Sequence, residues 1–519
     1  MVVLRRYYYE KQSLIKGTFI LGSAGIIAKF LGLFFRWPLQ MLIGDEGIGY
    51  YQMSYPLYMF FIAAASGIPV AVSKLVSERN AVRDEGGIIS VLKEAMIFMF
   101  IMGMGFTIIL LLFSKDIIRF LKWDTRSYYS LIGISLAPFF ISIMSVFRGF
   151  FQGMQNMNYT AISQVIEQLG RVIFGVGLAY ILLPMGIEYS AGGAAIGAAA
   201  GGLLGGIYLF FKYLSVKKEF RVKKVKRNFK IMNTILYMAI PISIGSAVGT
   251  IMSLIDSALV PQKLLEAGFT YKQSTILYGQ LTGKAFTLVN VPLTLSVSLC
   301  AALVPIIAED YILNRRMEVL KKVELAIKIS MVIAIPSCLG LNFMAKPILN
   351  LIFPGQEAGY EILKYLALSI PFIVLCQTST AILQGVGRYI RPIVNLCIGC
   401  IFKIVITLIL VPMSNINIYG AVIGTIAGYV ISAVLNMMAL KKSLNISINY
   451  YEIMIKPLIA STIMIIAVVF IYFYAYNYTI SSKIACLIAV FLGMIIYFII
   501  IGLIGILDYT YIKRKIIKR

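Results

Sequence analysis

The sequence predicts an all-α, polytopic membrane protein with about fourteen transmembrane helices. Of its 519 residues, 60% are hydrophobic and 13% are charged, whereas charged residues make up roughly 25% of an average soluble domain. A bilayer accommodates this composition because lipid does not penalise exposed apolar side chains as water does. Basic residues concentrate in the short segments between apolar stretches, which is the pattern of a protein oriented by the membrane.

Each predicted helix is an apolar stretch at or above the roughly 20 residues needed to cross the hydrocarbon core. Several stretches exceed that length, so we expect tilted helices or helices that extend beyond the bilayer. The fourteen stretches are 14–42, 47–76, 88–113, 128–152, 158–183, 190–213, 231–260, 275–308, 322–344, 360–384, 391–412, 418–440, 453–476 and 483–507.

The loop charges predict a multi-pass protein of the cell membrane with both termini in the cytoplasm. When the chain alternates from a cytoplasmic N-terminus, the largest basic run, at 217–230, falls on the cytoplasmic side. That run serves either as a topological anchor or as a binding segment for anionic lipid headgroups. This distribution, rather than nucleic-acid binding, explains the net charge of +25. The opposite side receives far fewer basic residues, chiefly Lys115, Arg119, Lys122, Arg126 and Lys263.

The two halves of the chain carry a matching pattern, which indicates an internal duplication. Gln152-Gly153 is echoed by Gln384-Gly385, and Arg171 and Lys403 each follow 18 residues after the respective glycine. A second match pairs Gly193, Gly197 and Gly201 with Gly420, Gly424 and Gly428. Six helices return each copy to the side where it began, so the copies are parallel and related by an axis along the membrane normal.

The duplication predicts how the chain is divided. The predicted parts are an N-terminal lobe at 1–216, a basic cytoplasmic linker at 217–230, a C-terminal lobe at 231–442, and two further helices with a cytoplasmic tail at 443–519. Glycines spaced by four residues place small residues on one helix face, so we interpret them as sites of close helix packing. A phosphate-cradling loop would need a strand before the helix, which is absent from the pattern.

Ionisable residues within the predicted helices are candidates for a substrate cavity. A charge at mid-bilayer costs about 2.5–3.5 kcal/mol on insertion scales, so it tends to face a cavity or a partner. Lys29 and Arg36 lie two turns apart on one face of the first helix. Lys284, in the eighth helix, either faces the cavity or snorkels to the interface. Asp256, in the seventh, either coordinates a coupling cation or pairs with Lys284.

Glu167 and Arg171 lie one helical turn apart and form a predicted ion pair. The repeat matches Arg171 with Lys403 but Glu167 with Gly399, so no acidic residue lies one turn before Lys403. We therefore predict that Lys403 lines the cavity together with the basic residues of the first and eighth helices. The excess of positive charge favours an anionic substrate, such as an amphiphile whose phosphate head enters the cavity while its tail stays in lipid.

Four segments carry a family resemblance. Residues 28–36 read Ala-Lys-Phe-Leu-Gly-Leu-Phe-Phe-Arg, and 44–52 read Gly-Asp-Glu-Gly-Ile-Gly-Tyr-Tyr-Gln. Residues 147–156 read Phe-Arg-Gly-Phe-Phe-Gln-Gly-Met-Gln-Asn, and 161–168 read Ala-Ile-Ser-Gln-Val-Ile-Glu-Gln. With these motifs the whole chain resembles the MOP superfamily of exporters, on the branch of MurJ-type lipid II flippases and polysaccharide flippases. The last two motifs are similar to those of its sporulation proteins.

The resemblance implies two six-helix lobes that work by alternating access. It implies transport of an undecaprenyl-pyrophosphate-linked peptidoglycan precursor, a lipid II-like molecule, for the spore cortex. It also implies that basic residues at or near Lys29 and Arg36 hold the pyrophosphate, and that the last two helices hold the lipid tail. The expected partners are this lipid-linked anionic oligosaccharide, membrane lipids and cell-wall synthesis proteins. We expect no cofactor, and a driving force from the membrane potential, Na⁺ or H⁺.

Four alternatives compete with this interpretation. Two are transporters: a flippase for another lipid-linked oligosaccharide, and a MATE-like multidrug antiporter. The others are a membrane enzyme and a non-transporting scaffold. The chain has no histidine and no long extramembrane loop to hold catalytic residues, which argues against an enzyme. Cys397 and Cys400 have CxxC spacing, but they lie mid-helix without a second pair, so we predict no metal site.

Overall fold

The computed structural model describes residues 14–218, 220, 222, 227–446 and 449–505. Over this part of the chain all regular structure is helical and there are no strands, which confirms the all-α prediction. Eleven helical spans within it are long and apolar enough to cross a membrane, which confirms a polytopic membrane protein. The total of fourteen transmembrane helices stays a prediction, and so does the cytoplasmic location of the termini, whose ends lie outside the described residues.

The α-helices of the first half, in chain order, are α1 (Leu14–Ala65), α2 (Gly67–Ala81), α3 (Glu85–Leu112), α4 (Ser114–Phe120), α5 (Tyr128–Ser135), α6 (Ala137–Gly153), α7 (Met157–Leu182), α8 (Ile187–Lys217) and α9 (Phe229–Glu266). Those that follow are α10 (Tyr271–Gly279), α11 (Phe286–Ile312), α12 (Arg316–Phe343), α13 (Ala345–Ile352), α14 (Tyr360–Leu366), α15 (Ile370–Gly385), α16 (Ile390–Leu410), α17 (Ile418–Leu444), α18 (Lys456–Thr479) and α19 (Ser482–Leu503).

Gly44 divides α1 into two arms. Its backbone has φ 60° and ψ −168°, a combination that glycine adopts readily and that a β-carbon would oppose. The sequence predicts one helix ending at 42 and the next beginning at 47. The structure reduces that loop to a single non-helical residue, so the two predicted helices follow each other almost directly.

The contacts divide the chain into two compact units. The first unit contains the residues up to Gln262 together with Thr270–Gly279, and the second contains Lys263–Phe269 together with the residues from Gln280 onward. Most of α9 therefore belongs to the first unit. The predicted lobe boundary at 217–230 falls partly outside the described residues and stays a prediction.

One helix pair recurs in both units: α7 packs along α8, and α16 packs along α17. A β-carbon on Gly197 would lie 2.8 Å from the carbonyl oxygen of Arg171. At the equivalent place in the second unit, a β-carbon on Gly424 would lie 3.2 Å from the carbonyl oxygen of Lys403. These equivalent contacts confirm that the matched glycines allow close helix packing, and they confirm the register of the repeat in this helix pair.

The last two helices pack against each other within the second unit. Their shared core includes Val468 and Cys486, and it extends to α12, where the hydroxyl of Tyr497 donates a hydrogen bond of 2.8 Å to the carbonyl oxygen of Val332. This polar bond inside an apolar contact favours one rotation of α19 relative to α12, because a buried hydroxyl needs a partner.

Candidate functional site

The second arm of α1 carries three tyrosines on one face. Tyr51, Tyr55 and Tyr58 are spaced by four and then three residues, which brings them to the same side of a helix. The rings of Tyr51 and Tyr55 are stacked with centroids 5.4 Å apart, and those of Tyr55 and Tyr58 are 5.7 Å apart. Tyr51 and Tyr58 are buried. The row forms a continuous aromatic surface inside the first unit.

Two guanidinium groups lie against this row of tyrosines. The guanidinium carbon of Arg36 is 6.0 Å from the ring centroid of Tyr55, and that of Arg171 is 5.8 Å from the centroid of Tyr58. Arg171 also donates a hydrogen bond of 2.9 Å from Nη2 to the Tyr58 hydroxyl. Attraction between a cation and an aromatic face favours this placement away from water. The structure therefore brings the predicted residues Arg36 and Arg171 to one surface, although they lie on different helices.

Glu167 is the acidic member of this cluster. It accepts a hydrogen bond of 2.9 Å from Nη2 of Arg148, on α6, and its other oxygen lies 3.9 Å from Nη2 of Arg171. Arg148 also donates from Nε to the hydroxyl of Ser163, at 2.9 Å. The side chains of Glu167, Arg148 and Arg171 are 12%, 16% and 11% exposed. Glu167 therefore lies within ion-pair distance of Arg171, but its shorter contact is with Arg148.

The cluster has an excess of positive charge and unused hydrogen-bonding atoms. Arg36, Arg148 and Arg171 are cations, and Glu167 is the acidic residue that Arg148 and Arg171 share. Among the described residues, the buried Nε of Arg171 and Oε1 of Gln168 have no hydrogen-bond partner. Buried polar atoms normally have a partner, so these two are available to a polar ligand or to water.

The sequence analysis did not select Arg148 or the row of tyrosines as site residues of this cluster. Arg148 belongs to the 147–156 motif that carries the family resemblance, and the tyrosines have a spacing that shares a helix face. Both signals are present in the sequence, but neither shows which helix lies opposite.

Lys284 belongs to the second unit, where its ammonium is held by main-chain carbonyl groups. It lies in the π-helical turn Gln280–Ala285, is fully buried, and donates to the carbonyl oxygens of Gln356 and Ala358 at 2.9 and 3.1 Å. Those carbonyls precede α14. In this arrangement Lys284 neither snorkels to an interface nor stands alone in lipid, and its role in substrate binding stays a prediction.

The remaining predicted residues lie at separate places. Lys403 is 1% exposed on α16 in the second unit. Asp256 is 2% exposed on α9 in the first unit, within electrostatic reach of Tyr278. The side chain of Lys29 falls outside the described part of the structure. The shared cavity predicted for Lys29, Arg36, Lys284 and Lys403, and the pairing of Asp256 with Lys284, stay predictions.

Comparisons with known proteins match most of the chain. Residues 14–310 match the family described as polysaccharide biosynthesis protein, and residues 282–409 match the family described as MatE. The chain is 32% identical to stage V sporulation protein B of Bacillus subtilis (strain 168) over 453 residues, which cover 85% of this chain and 86% of that protein. It is 27% identical to lipid II flippase MurJ of the same organism over 485 residues, which cover 88% of each.

A solved structure shares the fold. The structure described as lipid II flippase MurJ in an inward closed conformation aligns with a TM-score of 0.73 and 17% identity. The alignment covers 94% of this chain and 98% of that chain. At this level of identity the likeness supports the helical architecture.

Proposed function

Because this chain belongs to the polysaccharide biosynthesis protein family of the MOP superfamily, we propose that it flips an undecaprenyl-pyrophosphate-linked peptidoglycan precursor across the cytoplasmic membrane. The curated relatives are transporters rather than enzymes, and we assign this protein to the same class. Its use in spore cortex synthesis, next to cell-wall synthesis proteins, is a proposal supported by the similarity to stage V sporulation protein B.

The arginine cluster of the first unit is the observation that carries this proposal. Arg148 and Arg171 share the single carboxylate of Glu167, and Arg171 and Arg36 both lie against the row of tyrosines. A guanidinium group binds phosphate oxygens through two parallel hydrogen bonds, which makes arginine well suited to a pyrophosphate. The tyrosine hydroxyls supply further donors, and the rings supply an apolar surface for the sugar or the first isoprene units.

The membrane potential favours the proposed direction of transport. An inside-negative potential is worth about 2.3 kcal/mol per charge per 100 mV, so a headgroup with two negative charges gains about twice that amount if it crosses the whole field. Alternating access is the proposed cycle, supported by the duplication of the sequence. Coupling to Na⁺ or H⁺ is a further part of the proposal, with the buried Asp256 of α9 as its candidate carboxylate.

Replacement of Arg36 tests the proposal directly. The purified protein is placed in lipid vesicles, and the flipping of a fluorescent polyprenyl-pyrophosphate-linked saccharide is measured. We expect Arg36→Gln to slow flipping about 10- to 100-fold, because a hydrogen bond to a charged group contributes about 1.5–3 kcal/mol. Arg36→Lys keeps the charge without the planar fork and should give an intermediate rate.

The matched control removes one charge elsewhere. Lys442 is exposed at the end of α17, so Lys442→Gln should flip the lipid at the wild-type rate. Equal rates for Arg36→Gln and Lys442→Gln, at equal amounts of folded protein, would exclude Arg36 from the transport of the pyrophosphate.

Two related transport functions are the competing candidates. The match to the polysaccharide biosynthesis family also suits a flippase for another lipid-linked oligosaccharide, and the match of residues 282–409 to MatE suits a multidrug antiporter. A cluster rich in arginine disfavours cationic drugs, because like charges repel. Competition of the flipping assay by peptidoglycan, teichoic or capsular lipid-linked precursors and by cationic dyes separates the three functions.

A further inference from the structure

The segment between α3 and α5 departs from the charge pattern of the rest of the chain. It carries four basic residues on the side that the predicted topology places outside the cytoplasm, where basic residues are otherwise scarce. The four are Lys115, Arg119, Lys122 and Arg126. Topology does not require positive charges there, since the orientation of a membrane protein is set by basic residues on the cytoplasmic side. A concentration of cations on this side therefore calls for another explanation.

All four basic residues line one cleft of the first unit, with a volume of about 730 Å³. Three tyrosines, Tyr128, Tyr129 and Tyr271, complete its wall. The rings of Tyr128 and Tyr129 meet edge to face, with centroids 5.6 Å apart. The cleft thus combines ammonium and guanidinium donors with aromatic rings, the mixture that suits an anionic group attached to a less polar body.

The two arginines of this cleft have acidic partners, whereas its two lysines have none among the described residues. Arg119 lies 3.9 Å from Asp116. Arg126 is held by Asp124 at 2.9 Å and by Glu46 at 2.8 Å. Lys115 and Lys122, in contrast, form no ion pair with any residue that the structure describes. The two lysines therefore provide the attraction that remains for an external anion.

The position of this segment is fixed rather than left to solvent. The indole of Trp123, 2% exposed, donates a hydrogen bond of 2.7 Å to the carbonyl oxygen of Ser257 on α9. Lys122, immediately before it, has a φ of 50°, an unfavourable conformation for a residue with a β-carbon. A strained backbone next to a buried anchor persists only where the surrounding structure holds it.

Large apolar side chains beside the cleft point to its depth in the membrane. Leu112, Phe113 and Phe120 are 72%, 53% and 82% exposed, and they flank or belong to α4, which also carries Lys115 and Arg119. Exposed aromatic rings together with basic residues are typical of a helix in the bilayer interface, where the rings enter the acyl region and the charges stay at the headgroups. We therefore expect the cleft to lie level with the phosphate groups of the lipids.

We propose that this cleft binds the anionic phosphate headgroup of a lipid in the outer leaflet, with Lys115 and Lys122 as the groups that contact the phosphate. The site is separate from the Arg36–Arg171 cluster, so it does not depend on the transport function proposed above. Its lipid has two sources with the same chemistry: an anionic phospholipid of the bilayer, or a polyprenyl-pyrophosphate-linked saccharide present in the same leaflet.

Native mass spectrometry of the purified full-length chain tests the site with each lipid. Phosphatidylglycerol and a polyprenyl-pyrophosphate-linked saccharide are titrated separately, and the apparent Kd is compared among variants. We expect Lys115→Gln and Lys122→Gln each to weaken binding about fivefold and the double variant about 25-fold, since a basic residue near an anionic surface contributes about a factor of five. The lipid that binds more weakly to the lysine variants than to the wild-type protein is the one that occupies the cleft.

Lys483 provides the matched control. It is exposed at the start of α19, on the same predicted side of the membrane, and does not line the cleft. Lys483→Gln removes the same charge, so it should leave both affinities unchanged, and the Lys115→Arg, Lys122→Arg double variant should restore binding. Loss of affinity that is equal in the Lys483 and cleft variants, or no loss in any of them, overturns the proposal. An equal thermal unfolding midpoint for all variants excludes misfolding as the cause.

Discussion

The paired helices α7 and α8 of the first unit and α16 and α17 of the second share a backbone arrangement but differ in polar content. In the first unit, Arg148, Ser163 and Glu167 form a charged cluster. Shifted by the offset of the repeat, the same three positions hold Thr380, Asn395 and Gly399 in the second unit. There the amide of Asn395 donates to Oδ1 of Asn436 at 2.8 Å, and Asn436 donates to Thr380 at 3.0 Å. At these three positions one scaffold thus supports an ionic cluster in one copy and neutral side chains in the other, where the buried cation Lys403 lies one turn after Gly399.

The residue on the opposite helix differs in size between the two copies, as the residue at the position of Glu167 differs in charge. Glu167 faces Gly205, where an added β-carbon would lie 3.6 Å from the β-carbon of Glu167. In the second unit the smaller residue lies on the other helix, because a β-carbon on Gly399 would collide with the hydroxyl of Ser432. The volume at each contact is kept while the residue that fills it changes, as close packing requires. The difference teaches that close packing is kept in both copies, whereas the ion pairs at these positions occur only in the first among the described residues.

The largest difference between the two copies should appear when Glu167 is replaced by alanine. Arg148 and Arg171 would keep their buried charges without the carboxylate, at a cost of about 3–5 kcal/mol. We expect a clear fall in the thermal unfolding midpoint in detergent. The exposed pair of Glu318 and Lys321 gives the control, since Glu318→Ala should cost about 1 kcal/mol or less.

A second substitution distinguishes burial of charge from loss of contacts. Adding Arg148→Leu to Glu167→Ala removes one of the two uncompensated cations, so the double variant should be more stable than the sum of the single effects predicts. An additive result would mean that Glu167 acts through packing, and the contrast between the charged and neutral copies would then lose its energetic basis.

Substitutions of glycine should test the close packing of α7 against α8, with an effect on stability between those of the charged and the neutral cluster. A β-carbon on Gly201 would collide with the carbonyl oxygen of Glu167, whereas one on Gly177, on α7, has nothing within 4 Å. We expect Gly201→Ala to destabilise the protein by about 1–3 kcal/mol through overpacking. Gly177→Ala should be neutral or slightly stabilising, because alanine favours the helix. Similar unfolding midpoints for the two variants would contradict the close approach of α7 and α8.

The sequence predicts features that depend on the period of a helix and on the repeat. The helical architecture, the glycine register and the contact of Glu167 with Arg171 all follow from residues three or four apart, or from matched positions. The sequence does not predict the shorter contact of Glu167, because its partner Arg148 lies on another helix. Which side chains meet across helices depends on rotation and tilt, which apolar length does not fix. Lys284 shows the same limit, since its partners are carbonyl groups of the loop before α14, more than seventy residues away.

The smallest effect is expected in the neutral cluster of the second unit. Asn436→Leu removes the amide that bonds to Asn395 and Thr380, and hydrogen bonds between membrane helices contribute about 0.6 kcal/mol on average and about 1.7 kcal/mol at most. The thermal unfolding midpoint should therefore fall much less than in Glu167→Ala, although both clusters are buried at equivalent places. The asymmetry arises because a neutral amide left behind loses one bond, whereas an arginine left behind keeps a charge that the interior cannot solvate. If Asn436→Leu destabilises the protein as strongly as Glu167→Ala, then polar geometry rather than charge distinguishes the clusters. The concentration of charge in the first unit would then be incidental to its stability.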